Sequence, residues 1–83
     1  MLRPREGLAW QTMGGEAVIV DVDRRQMLGL NPSAARLWLL LPAPSEEDLA
    51  QALVKAFATD LGTARRDVHA FVDTLSGLGL LAI

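Results

Sequence analysis

The hydrophobic pattern changes character about one third of the way along the chain. Before that point, short apolar runs alternate with turn-forming residues. After it, apolar positions recur at helical spacing. Leu8 to Met13 reads as a first strand, and Gly14-Gly15 supplies the positive-φ pair that a tight hairpin turn wants. Glu16 to Val22 is the clearest strand, because Ala17-Val18-Ile19-Val20 is apolar and largely β-branched. The polar stretch Asp21 to Arg25 predicts a turn, and Gln26 to Leu30 a third strand. Three strands joined by short turns make an antiparallel meander.

Helix signals follow. Asn31 can cap a helix with its side-chain oxygen, and Pro32 suits the first helical position. Ala35, Leu37, Trp38 and Leu41 continue that helix until Pro42-Ala43-Pro44 stops it. Ser45 caps a second helix, whose first turn holds Glu46, Glu47 and Asp48, favourable at the positive end of the helix dipole. Its apolar face is Leu49, Leu53, Ala56 and Phe57. Gly62 is expected to break this helix and Thr63 to cap a third. The third helix carries Ala64, Val68, Phe71, Val72, Leu75 and Leu78 on one face, and Arg65, Arg66, His69 and Asp73 opposite. Gly77 and Gly79 loosen its end before an apolar tail, Leu80 to Ile83. The expected fold is α+β and winged helix-turn-helix-like: a three-stranded antiparallel sheet followed by three helices, βββααα.

Composition narrows the function. The chain has 83 residues, which fits a single domain over 1–83. At 51% hydrophobic it is apolar enough to offset the cost of ordering so small a core. A formal charge of −2 argues against nucleic acid as the main partner. There is no cysteine, which excludes disulfides, thiol chemistry and Cys-built zinc sites. No apolar run approaches the roughly 20 residues of a membrane span, and no signal-peptide core is evident, so a cytoplasmic location is expected.

Catalytic chemistry is poorly represented. His69 is the sole histidine and falls on a polar helix face. Glu46, Glu47 and Asp48 are explained as helix-start charges, and Ser33, Ser45 and Ser76 have no evident base. Gly14-Gly15 opens a strand rather than a helix, which disfavours a phosphate loop. No cofactor is implied. A DNA-binding winged helix would need a basic recognition helix. Here the second helix opens with three acids and carries only Lys55, while Asp67 and Asp73 offset Arg65-Arg66. Arg24-Arg25 at the hairpin reads as a solvated turn.

One ordered set of motifs resembles a known family. Gly15-Glu16 leads into Val18-Ile19-Val20-Asp21, followed by the stretch Leu28-Gly29-Leu30-Asn31-Pro32-Ser33-Ala34-Ala35-Arg36-Leu37-Trp38. Then come Asp48-Leu49-Ala50-Gln51-Ala52-Leu53, and Asp67-Val68 with Phe71-Val72 and Leu75, before Leu78-Gly79-Leu80-Leu81. From about Leu8 to Ala82 this is similar to the PqqD-like proteins, or RiPP recognition elements. Leu28 stands where the family often has an aromatic. The resemblance implies a non-catalytic module that binds the leader of a ribosomally made precursor peptide and presents it to a modifying enzyme or leader peptidase. The leader would pair antiparallel with the third strand and lie against the third helix.

The residues agree with that mechanism in outline. An unpaired strand edge is a template for another chain, and strand addition is an established recognition mode. The expected peptide-binding residues are Arg25, Gln26, Met27, Leu28 and Gly29 on the strand side. On the helix side they are Ala64, Arg65, Val68, Phe71, Val72 and Leu75. Arg65 and Arg66 would meet acidic leader residues. The alternative is a dimerising or enzyme-docking scaffold, because the run Leu37 to Leu41 exceeds what one helix face can bury; a homodimer through Leu39-Leu40 or through Leu80 to Ile83 is the form it would take. On the leader-binding reading, Met27→Asp or Val68→Asp weakens leader binding in calorimetry and leaves the fold largely intact. Unchanged affinity would move the site elsewhere.

Overall fold

A computed structural model describes Met1–Ala82. The predicted meander is present as β2 (Ala9–Met13), β3 (Glu16–Asp21) and β4 (Gln26–Leu30), antiparallel in the order β2-β3-β4. The Met13↔Glu16 pair closes around Gly14 and Gly15, both at positive φ, as a two-residue hairpin requires. Three helices follow: α1 (Pro32–Leu39), α2 (Glu46–Phe57) and α3 (Leu61–Gly77). The α+β, βββααα reading therefore stands. Two short strands lie outside it. β1 (Arg3–Pro4) pairs antiparallel with β5 (Leu81–Ala82), so part of the expected apolar tail is a strand; Ile83 lies outside the described residues.

Local side-chain chemistry sets the helix boundaries. Asn31 caps α1 by accepting from the Ala34 amide, and Ser45 caps α2 by accepting from the Asp48 amide. The expected start of α3 is displaced. Asp60, not Thr63, is the cap: its carboxylate accepts from both the amide and the hydroxyl of Thr63, each at 2.8 Å. Gly62 therefore lies inside the first turn of α3. What ends α2 is Ala58, which adopts the left-handed conformation at φ 51°.

The core lies between the sheet and the helices. Ile19 and Leu30 face it from the sheet, Leu37 and Trp38 from α1, Leu49 and Leu53 from α2, and Val68, Phe71 and Leu75 from α3. Each such side chain contributes about 1.5–3 kcal/mol by leaving water. Trp10 meets Trp38 edge to face, with ring centroids 6.3 Å apart. The run Leu37 to Leu41 divides simply. α1 ends at Leu39, so Leu40 and Leu41 turn back onto the core and Leu39 is left outside.

One buried charge joins sheet to helix. Asp21, at the end of β3, is 1% exposed and pairs with the Arg5 guanidinium at 2.5 Å. Gln26 donates to the same carboxylate and to the Leu78 carbonyl at the end of α3, 3.0 Å away. Arg24 also donates to the Leu78 carbonyl, and Arg5 to that of Gly79. Cationic donors at a helix C-terminus satisfy its orphan carbonyls and complement its dipole.

Burial alone would raise the Asp21 pKa. The hydrogen bonds from Arg5, Gln26 and the Arg24 amide, with the Arg5 charge, outweigh it and hold the carboxyl below its ordinary 3.8. A depressed carboxyl stabilises the fold above its unfolded pKa and loses that contribution as pH falls through the folded value. Asp21→Asn is thus expected to lower the melting temperature at pH 7, with the gap to wild type closing as pH falls below 3.8. A gap that stayed constant with pH in thermal melts would refute the ionised pairing.

Candidate functional site

β4 is an edge strand, bonded to β3 on one side. In an antiparallel ladder, alternate residues of an edge strand direct their N–H and C=O groups outward, free to pair. Beside that edge lies a cleft of about 340 Å³. Leu28, Gly29 and Leu30 form its strand wall, and Asn31, Ser33 and Ala34 close it at the start of α1. Asp67, Ala70 and Thr74 form its helix wall, one stripe of α3. Leu37, Phe71 and Leu75 lie beneath, all buried. The Gln26–Leu78 hydrogen bond joins β4 to α3 at the other end. The result is a trough with an apolar floor, bordered by unpaired main chain.

The expected peptide-binding residues separate into groups. Leu28, Gly29, Phe71 and Leu75 line the cleft. Gln26 does not line it; its amide is committed to Asp21 and Leu78. Met27 is 72% exposed, yet strand alternation places it with Val18 and Val20 on the opposite face of the sheet. Arg25 is in the preceding turn at φ 53° and is not part of the lining. Ala64 and Val68 are fully buried and Val72 nearly so, which makes them core rather than groove. Arg65 faces away from the cleft, donating to Glu47 of α2 at 2.8 and 3.0 Å. That bidentate bond holds the Glu47 carboxyl below its usual range and raises the Arg65 guanidinium.

Sequence reasoning missed Leu30, Asn31, Ser33, Ala34, Leu37, Asp67, Ala70 and Thr74 as lining. A signal for the helix residues was present. Asp67, Ala70, Phe71 and Thr74 recur at i, i+3, i+4 and i+7, a stripe on one flank of the core face. The opposite flank holds Arg65 and His69, and both meet acids of α2: Arg65 with Glu47, and His69 with Glu46 at 3.4 Å. The acidic first turn of α2 thus indicates which flank of α3 it covers, leaving the Asp67 flank for the sheet.

A second apolar groove, of about 380 Å³, lies between α1, the end of α2 and the β2–β3 turn. Leu39 and Phe57 border it, 48% and 45% exposed. Among the described residues, no group of acids and histidine is placed to hold a metal ion, and no helix is long and apolar enough to cross a membrane.

These positions revise the expected mutational behaviour. Val68→Asp would put an unpaired charge into the core and is expected to cost more than about 3 kcal/mol, removing a cooperative transition in denaturant. Met27→Asp on the open face is expected to stay within about 1 kcal/mol of wild type. A folded Val68→Asp protein would contradict the packing of α3.

No curated protein sequence matches the chain. Two solved structures are similar to it over nearly their whole lengths. One is TbiB1 in complex with the TbiA(beta) leader peptide, with a TM-score of 0.83 at 22% identity over 95% of this chain and 93% of that one. At that identity the likeness is one of fold. The other is lasso peptide synthetase B1 complexed with the leader peptide, with a TM-score of 0.81 at 26% identity over 99% and 98% of the two chains. The family model for coenzyme PQQ synthesis protein D matches residues 16–81, which takes in β3, β4, all three helices and the start of β5. The chain belongs to the PqqD family.

Proposed function

We propose that this protein binds the leader segment of a ribosomally synthesised precursor peptide and presents it to a modifying enzyme or leader peptidase, acting in the cytoplasm as one peptide-binding domain without chemistry of its own. The observation that carries this reading is the free edge of β4 beside an apolar trough. The guest adds as a further strand. Main-chain bonds to β4 supply affinity, and every second side chain enters the trough, where Phe71 and Leu75 set the floor. Antiparallel pairing is favoured, since it extends the existing sheet and is slightly the more stable ladder per residue. Family membership and the likeness to two leader-peptide complexes support the assignment.

The second groove favours a further reading, in which the domain docks onto a larger enzyme or a second copy through half-exposed Leu39 and Phe57. One experiment separates the two. The leader of a precursor peptide encoded beside this protein's gene is titrated into labelled protein and followed by NMR. Leader binding predicts amide shifts over Leu28 to Asn31 and Asp67 to Thr74, with slowed hydrogen exchange along β4. Shifts confined to the surroundings of Leu39 and Phe57 would overturn the strand-addition reading and leave the docking one.

A further inference from the structure

The trough has one charged residue in its lining, Asp67. Among the described residues the Asp67 carboxylate has no ion-pair or side-chain hydrogen-bond partner. Its basic neighbours on α3 are engaged elsewhere. Arg65 is held by Glu47 on the far flank of α3, and Arg66 reaches back to the Thr63 hydroxyl. The charge facing a bound segment is therefore negative, the reverse of what Arg65 and Arg66 suggest in the sequence.

The position of that charge along the trough follows from geometry. Gln26 and Leu78 are joined by a hydrogen bond, so the start of β4 lies beside the end of α3. Leu78 back to Asp67 is 11 residues of helix, about 16 Å. Gln26 forward to Asn31 is five residues of strand, also about 16 Å. Asp67 and Asn31 both line the trough, so strand and helix run antiparallel and those two residues are level at its α1 end. Phe71 lies one helical turn inward, about 6 Å from Asp67 along the axis. Same-face residues of an extended segment are two apart, about 6.6–6.8 Å. The two spacings match.

We infer that the site selects a segment with lysine or arginine two residues N-terminal to an apolar residue: the apolar side chain over Phe71, the cation at Asp67. This rests on the strand-addition reading above, and the order of the two residues rests on antiparallel pairing. Asp67 is exposed, so the ion pair adds register and charge discrimination more than affinity. Selectivity falls as salt rises.

The test is selection from a displayed library of random peptides of roughly ten residues, the length of a long strand. Wild type and Asp67→Lys are the two baits, each checked by circular dichroism for an unchanged fold. Binders are sorted by NMR for shifts over Leu28 to Asn31. Wild type is expected to enrich basic-x-apolar segments, and Asp67→Lys to enrich Asp or Glu at the same place. In a synthetic wild-type binder, Lys→Glu at that position should weaken binding by about five- to tenfold, and Asp67→Lys should recover the loss. Binders that shift those amides but show the same charge preference with both baits would overturn the inference and leave strand addition intact. Enrichment of apolar-x-basic segments would overturn the assigned order. A failure to select any peptide that shifts those amides would count against the trough itself, and against both readings.

Discussion

A carboxylate taken out of water must be satisfied or it unfolds the site around it, and the way Asp21 is satisfied organises this molecule. Its partners come from three places: Arg5 from beyond β1, Gln26 from the start of β4, and the Arg24 amide from the turn between β3 and β4. Arg5, Arg24 and Gln26 also bond the carbonyls that end α3. One buried charge thereby fastens the sheet to the third helix at a defined point. Beyond that point the trough lies between strand and helix. Gly79 fits the same junction. It has positive φ, and a Cβ there would collide with the Arg24 guanidinium.

In the proposed mode of binding, the edge and the floor of the trough divide recognition between them. Main-chain groups along β4 accept any extended segment, so they carry affinity without choice. Choice comes from what lies within reach of alternate side chains. Leu28 and Leu30 face inward, while Gly29 presents no side chain and a Cβ there would meet nothing within 4 Å. Leu28 and Leu30 give the strand wall an apolar surface, to which α3 adds the apolar area of Phe71 and the charge of Asp67.

The order of strands and helices was legible because each depends on local chemistry. Gly14-Gly15 makes the hairpin, Asn31-Pro32 starts α1, and Ser45 with its following acids starts α2. The start of α3 was misread because two candidate caps compete within four residues, and Asp60 can accept from the amide and the hydroxyl of Thr63 at once. The trough was only partly legible. Leu28, Gly29, Phe71 and Leu75 follow from pairing a strand with a helix face. Which flank of that face stays open depends on where α2 packs, a tertiary fact. Ala64, Val68 and Val72 were placed in the groove because an apolar stripe does not say which of its members meet another helix and which meet a cleft. Met27 was misplaced for a simpler reason: alternation puts it on the reverse face from Leu28, and exposure alone does not identify a binding surface.

The pairing of β1 with β5 has a topological consequence. Arg3 lies opposite Ala82 and Pro4 opposite Leu81, so both ends of the described chain emerge together, past the capped end of α3. A catalytic unit tethered to either end would therefore start from the same anchor point, with the same reach to whatever occupies β4. For this architecture, the order of a gene fusion would matter little to the effective concentration of enzyme at the captured peptide; the length and stiffness of the linker would decide it.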